Sequence, residues 1–443
     1  MKVLVSRILA LLFLIHAGVF SYAYSSEPSQ WIRGFCLTEN SLSELVINPT
    51  GDKSDAQKAV DQIKRLGGNH IVLNPRAIML NPKANDVIPL TSPANRQEEM
   101  QKYAQLIKYI HSQGMTVGIR PIFFVVRDAT THAPYVETLV DAQGRAYKKT
   151  WWHGNIQPND PDQWFRSFKS YLDNYLLIAK LNKVAEFTIG AELYSMTVGI
   201  EDQWKEYPHG FPQQWLQLLR YVRQKLGSKT RIMYDINFTD DSVNVGGGLV
   251  ASGGELERWR YRLVDLAPDD REHPTTDNQS WFDLVAFWKE LNAVGIDMYR
   301  SLADKNIQPI DDYNTLLSVL KIRGEEFASQ LDNTLIEIEA TLDHHKLAIF
   351  KEVGYRSITN GFVDPFNYDV YANRNDVNIP HQAAAYETFF NSFWAPNFNW
   401  FNGVNFWDVA IDSKRQGSRD PGFTPINKPL TEKVISSFYK GER

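Results

Sequence analysis

Residues Leu347–Ser357 read LAIFKEVGYRS. Apolar side chains run from Leu347 to Phe350, Lys351 and Glu352 follow, and Gly354 breaks the run. The pattern predicts a buried strand that ends by presenting a carboxylate. Ionising a carboxyl in such surroundings is costly unless a partner compensates it. The fold therefore turns on how many similar runs exist and whether they close around a common mouth. Eight such runs are present: 32–38, 70–75, 116–125, 186–193, 231–238, 293–299, 347–354 and 403–409. Within the seventh, alternation puts Glu352 in phase with Phe350 and turns Lys351 the other way, away from the interior.

Helical patterns separate these runs. SDAQKAVDQIKRLGG offers a Ser54 cap and a glycine stop, and a second pattern ends at Gly114. A third begins with Pro161 in its first turn, and FPQQWLQLLRYVRQKLG follows the fourth run. A long pattern from about 313 to 344 precedes the seventh run, HQAAAYETFFNSFW precedes the eighth, and LTEKVISSFYKG closes the chain. Unbroken alternation of this kind predicts an α/β fold, a (β/α)8 TIM barrel with enlarged βα loops. An open doubly wound sheet would need a glycine-rich phosphate turn after the first strand, and GFCLTENSLSE is not one. The extra length falls into insertions near 126–160, 240–285 and 302–345. The middle one, rich in Gly, Asp and Pro, is expected to be a loop or lid.

The first residues carry Lys2 and Arg7, an apolar stretch from Ile8 to Phe20, and small residues at Ser21 to Ala23. Residues 1–23 are expected to be a signal peptide for a secreted or periplasmic protein, and 24–443 a single barrel domain. No other long uncharged apolar run exists, so no membrane span is expected after cleavage. Cys36 is the only cysteine, so an internal disulfide is excluded and core burial must hold the fold. Net charge is −5 without a basic block, which argues against nucleic acid as a partner. With 12 Trp, 20 Tyr and 24 Phe, the chain has aromatic surfaces to spare for stacking sugar rings.

Barrel sites sit at the C-terminal strand ends. The last inward positions are Asn74, Arg120, Glu192, Asp235 with Asn237, Asp297 with Tyr299, Glu352, and Asn405 with Trp407. In the fourth strand, parity groups Glu192 with Thr188 and Gly190 and sends Ile189, Ala191 and Leu193 to the helices. Glu192 and Glu352 form the chemical pair. Glycoside hydrolysis with retention needs one carboxyl as acid and another as ionised nucleophile, converging on one bond. The structural alternative is that each glutamate merely pairs with a nearby Arg or Lys.

The words WWHGNIQPNDPDQWFRSF, FTIGAELYSM, RIMYDINF, VGIDMYRSL, IFKEVGYRS and GVNFWDV resemble the clan A glycoside hydrolases. They look most like glycoside hydrolase family 113, a family of endo-β-mannanases. The resemblance implies Glu192 as acid/base, Glu352 as nucleophile, and Tyr299 beside the nucleophile. It implies Trp407 as the platform under the cleaved sugar, with Asn237 and Trp152 lining the cleft. Most clan A enzymes carry Asn before the acid/base to bind the sugar 2-OH. Ala191 stands here, so Asn237 or Asn74 would have to take that role.

The exposed pair Trp151 and Trp152 is expected to form a sugar platform, and Trp164, Trp215 and Trp288 to be core. Asp297 is expected to pair with Arg120 or Arg33. His344 and His345 lack a second ligand cluster, Gly246–Gly248 lacks a phosphate-loop context, and no Gly-x-Ser-x-Gly elbow occurs. No motif asks for a metal or organic cofactor. The expected partner is an oligo- or polysaccharide, cleaved by a retaining enzyme whose Glu192 has a raised pKa while Glu352 stays ionised. Cleavage of a glucan or galactan, or a non-catalytic glycan-binding barrel, are the alternatives.

Overall fold

In the computed structural model, described for residues 30–442 except 142, 201–202 and 367–375, eight parallel strands close into a barrel. They are β1 (Ile32–Thr38), β2 (His70–Leu73), β3 (Thr116–Ile119), β4 (Glu186–Ala191), β5 (Arg231–Thr239), β6 (Ala293–Tyr299), β7 (Ala348–Val353) and β8 (Phe401–Ala410). Neighbours follow chain order, and β1 pairs with β8, where Ile32 aligns with Gly403. The expected leader at 1–23 lies outside the described residues. Among the described residues no helix is long and apolar enough to cross a membrane.

The helices are α1 (Asp55–Arg65), α2 (Arg96–Ser112), α3 (Pro161–Leu181), α4 (Pro212–Leu226), α5 (Gln279–Glu290), α6 (Tyr313–Leu342), α7 (Ile379–Phe389) and α8 (Pro429–Tyr439). Their starts follow the sequence signals. Ser54 Oγ accepts from the Gln57 amide at 3.2 Å, and Gln57 Oε1 accepts from the Ser54 amide at 3.1 Å. Such a capping box stabilises a helix by about 1 kcal/mol. The space between helices and barrel is largely aromatic. Trp164 stacks on Phe168 at 4.9 Å, and both lie edge-on to Trp215. Trp164, Trp215 and Trp288 are fully buried, each worth roughly 2–3 kcal/mol of apolar burial.

Two strands end earlier than their apolar runs. Pro75 and Pro121 lack the N–H that a ladder needs, and the chain leaves the barrel at each. Beyond them Arg76–Met79 and Ile122–Val125 pair with each other, and Ile88–Pro89 adds a third strand. This small sheet rises over the β2–β3 side of the mouth. The 126–160 insertion carries an exposed hairpin, Val136–Val140 with Ala146–Thr150.

The 240–285 stretch is not simply a loop or lid. It holds a helix, Glu255–Arg260, continued by a π-helical turn, Tyr261–Asp265. Its last residues open α5, the barrel's own helix between β5 and β6. Leu256, Trp259 and Leu263 recur at helical spacing and are all buried, a pattern masked in sequence by the surrounding Gly, Asp and Pro.

Strand parity also needs two corrections. In β7, Phe350 faces the outer helices, packing on Phe389 at 5.0 Å and Phe393 at 4.9 Å. Lys351, expected to point away, is fully buried and ion-paired with Glu186 inside the barrel. Pairing with β6 slips between Ile296 and Asp297, so Lys351 and Glu352 both serve the interior. In β4 the register slips between the partners of Met233 and Asp235, which brings Ala191 level with Asp235. A Cβ at Gly190 would lie 2.7 Å from the Trp215 ring, so that position faces the helices and not the mouth.

The interior is thus layered. Met233, Ala293 and Ile349 form an apolar floor. Above it sit His70, Glu186 and Lys351, and above those Arg120, Asp235 and Asp297.

Candidate active site

Arg120 follows β3 directly and is 1% exposed. Its guanidinium spends all three nitrogens on carboxylates from three strands. Nε donates to Asp235 Oδ2 at 2.6 Å, Nη2 to Asp297 Oδ2 at 2.6 Å, and Nη1 to Glu352 Oε1 at 2.5 Å. The planar fork suits this task, since each donor has a fixed direction. Tyr299 Oη donates to the other Glu352 oxygen at 2.7 Å. Arg120, Asp297, Tyr299 and Glu352 are therefore one connected unit, and Asp297 takes Arg120 as its partner, while Arg33 donates to the Gly67 carbonyl at the opposite end of β1.

Glu192 follows β4 with φ +54°, a left-handed conformation that is uncommon outside glycine. Its amide donates to the Asp235 carbonyl at 2.8 Å, which holds that conformation against the end of β5. The side chain takes two contacts: Asn237 Nδ2 donates to Oε1 at 2.8 Å, and His153 Nε2 lies 3.0 Å from Oε2. Thr239 Oγ1 lies 3.0 Å from both Asn237 Oδ1 and Asp241 Oδ2, two acceptors for its one proton. Both glutamates keep 12% of their side chains open, enough to meet a substrate.

Each carboxyl feels the other. Burial pushes Glu352 up, Arg120 opposes, and the charge of Glu192 adds to the rise, leaving Glu352 above the ordinary carboxylate value. Burial pushes Glu192 up too, but His153 and Asn237 outweigh it and hold Glu192 below its ordinary value. These directions are the reverse of the raised Glu192 expected from the sequence. The reason is His153, which the sequence places beside Trp152 without indicating its contact. Asp297, buried among three other carboxyls, is pushed well above its ordinary value despite Arg120.

The remaining predicted residues sort by distance from this pair. Trp152 is half-buried, with its ring 4.8 Å from the His153 ring and 5.7 Å from Tyr194, so it flanks the Glu192 side. Trp151 does not share that surface. It is buried, its Nε1 donates to Glu137 at 2.9 Å, and Lys149 covers its ring at 3.8 Å. Adjacent residues on an extended segment face opposite ways, so only one of the two can be a platform. Trp407 and Asn74 instead line a cavity of about 380 Å³ with Arg76, Phe124, Arg356 and Phe423; neither glutamate is in its lining. Asn74 is 3% exposed, and its buried Oδ1 has no hydrogen-bond partner among the described residues. Asn405 lies deeper, wholly buried, and does not reach the mouth.

Two contributors were missed from sequence. His153 had a local signal, as the titratable residue of WWHGN. Glu255 had none, because it acts from the stretch read as a loop.

Replacing His153 by Phe tests the charge assignment. Without His153, burial acts on Glu192 with less opposition, so its pKa rises. The alkaline limb of kcat/KM then moves to higher pH; a move to lower pH would contradict the assignment.

The family model described as Glycoside Hydrolase Family 113 matches residues 48–237. That segment carries Glu192 and Asn237, while Tyr299, Glu352 and Trp407 lie beyond it. No curated protein sequence matches the chain. Among solved structures, a family 113 β-1,4-mannanase in complex aligns over 93% of this chain and 99% of its own, at 17% identity and a TM-score of 0.55. The family 113 β-mannanase from Alicyclobacillus acidocaldarius, in complex with ManMIm, aligns over 93% and 98%, at 15% identity and a TM-score of 0.58. At such identities the likeness speaks for the shared barrel. On a closed eight-stranded barrel, with residues 48–237 matching the family 113 model from ahead of β2 into β5, the chain is a glycoside hydrolase.

Proposed function

We propose that the chain is a retaining glycoside hydrolase, endo-acting on β-1,4-mannan or related mannose-containing glycans, working by double displacement. The observation that carries this reading is the contrast between the two glutamates' partners. Both oxygens of Glu352 accept from groups that only donate there, the Arg120 guanidinium and the Tyr299 hydroxyl, which suits an ionised nucleophile. Glu192 faces His153 Nε2, which can donate or accept according to its tautomer, and this suits a carboxyl that gives and takes a proton. A bound sugar displaces water from the mouth and pushes both carboxyls upward. The proton then settles on Glu192, the carboxyl that Arg120 does not contact.

In the first step Glu352 attacks the anomeric carbon while Glu192 protonates the leaving oxygen. In the second, Glu192 takes a proton from water as that water displaces Glu352. Trp407 and the Asn74 acceptor serve the glycone side, and Trp152 the leaving-group side. The reading includes export by the leader at 1–23 and a single barrel over 24–443. No step calls for a metal.

The test is hydrolysis of manno-, gluco- and galacto-oligosaccharides with β linkages, following the product anomer by proton NMR. Cleavage of mannosides with an initial β-anomer supports the reading. Initial α-anomer rules out retention, and preference for another sugar rules out the mannan assignment.

A further inference from the structure

Glu255 is wholly buried at the start of the Glu255–Arg260 helix. Tyr234 Oη lies 2.8 Å from its Oε1, Trp259 Nε1 donates to Oε1 at 3.0 Å, and the Asn237 amide donates to Oε2 at 3.1 Å. Among the described residues, the ionisable groups with the largest effect on it or from it are Tyr234, Glu192 and Tyr194, none of them a cation. It therefore sits among donors without a counter-charge.

Counting protons around Tyr234 decides its state. Thr197 Oγ1 donates to the Leu193 carbonyl at 2.5 Å, which uses its one proton. The Leu193 amide donates to Tyr234 Oη at 3.0 Å, and Thr197 Oγ1 lies 2.6 Å from the same oxygen. If Glu255 were ionised, Tyr234 would give it its only proton. The Thr197 and Tyr234 oxygens would then meet at that short distance with no proton between them. A proton on Glu255 removes the conflict: Glu255 donates to Tyr234, Tyr234 to Thr197, and Thr197 to the Leu193 carbonyl. Every oxygen–oxygen contact along the relay then has one proton.

This relay ends on both sides of Glu192. Leu193 follows Glu192 in the chain, and Asn237 supplies the amide that donates to Glu192 Oε1. Gly254, at φ +61°, lets the segment come close: a Cβ there would lie 2.3 Å from Asn237 Oδ1. We propose that Glu255 is a positioning residue for Glu192 and that it works as the neutral acid, its proton completing the relay to Leu193. The catalytic part rests on the glycosidase reading above. Burial, with the charge of Glu192 adding to it, pushes Glu255 up to about 8, in keeping with a neutral state at neutral pH.

Two variants and two substrates test this. Glutamine matches the neutral acid in shape and charge and can donate to Tyr234, losing only the Trp259 contact, so Glu255→Gln retains turnover within about tenfold. Glu255→Ala removes the acceptor of Trp259 Nε1 and of the Asn237 backbone amide, takes from Tyr234 the proton that starts the relay, and disturbs the acid. It loses about a hundredfold in kcat on mannotetraose, whose leaving group needs protonation, and less than about fivefold on 2,4-dinitrophenyl β-mannobioside, whose leaving group does not. Equal loss on both substrates, or a Glu255→Gln variant as impaired as Glu255→Ala, would overturn the positioning role.

The proton is read separately, from thermal unfolding of wild type and Glu255→Gln across pH. A native carboxyl raised to about 8 binds a proton that the unfolded chain has lost, so wild type loses stability relative to the variant as pH rises from about 4.5 to 8 and no further above. A difference that does not change with pH overturns the neutral state. If wild type cleaves neither substrate, the glycosidase reading and the positioning role fall together, and the unfolding series still decides the proton.

Discussion

Glu352→Gln abolishes turnover of mannan, by roughly ten-thousandfold or more, while the protein stays folded. The two halves of this result have different causes. Glutamine cannot form the glycosyl ester, so the first displacement has no nucleophile. Glutamine keeps the shape: its carbonyl oxygen can accept from Arg120, and its NH2 can donate to the Tyr299 hydroxyl, which turns to accept, so the mouth keeps its packing. The stability half carries a sign. Burial holds Glu352 above its ordinary value, so its ionisation destabilises the native state as pH rises. The variant is therefore at least as stable as wild type at alkaline pH. Loss of activity together with loss of stability would mean that the carboxylate is scaffolding and not a reacting group. Steady-state kinetics and urea unfolding at pH 8 distinguish the two.

Arg120→Met has the second large effect, and it falls on stability as well as activity. The guanidinium is the cation shared by Asp235, Asp297 and Glu352, all in the interior or at its rim. Removing it leaves buried carboxyls uncompensated, a change that costs about 3–5 kcal/mol. Burial already raises all three, with Arg120 opposing in each case. Without Arg120 they rise further, so the native state binds protons that the unfolded state does not. The deficit is then largest at pH 8 and shrinks toward pH 5, where the carboxyls are neutral. Arg120→Lys recovers only part of the loss, because an ammonium lacks the rigid fork that reaches three strands. Urea midpoints at pH 5 and pH 8 check the sign, and a deficit independent of pH would refute the charge argument.

The barrel was legible because its signal is collective. Eight apolar runs separated by capped helical patterns leave little else to build, and of the residues read at the strand ends the structure joins Arg120, Asp297, Tyr299 and Glu352 by hydrogen bonds. Parity was less secure. Two register slips, in β4 and between β6 and β7, put Lys351 inside and turned Gly190 outward. A bulge leaves no mark in a period of two residues, so alternation fails at the strand ends where the chemistry sits. The roles of His153 and Glu255 were hidden for another reason. Each acts through a contact across 39 or 18 residues of chain, His153 to Glu192 and Glu255 to Asn237, and only the folded barrel brings the partners together. Trp151 and Trp152 show the opposite error: their place in a loop marked both as a platform, and the hairpin buries one of them.

The central claim is a covalent intermediate on the carboxylate held by Arg120 and Tyr299. It is tested most directly by incubating the enzyme with 2-deoxy-2-fluoro-β-mannosyl fluoride and mapping the added mass by peptic digestion and tandem mass spectrometry. The second step is slowed by the fluorine, so the intermediate accumulates. The account predicts one added 2-fluoromannosyl group, on Glu352, and none in Glu352→Gln. A label on Glu192 or another residue, or an unlabelled enzyme that still releases fluoride, would contradict it.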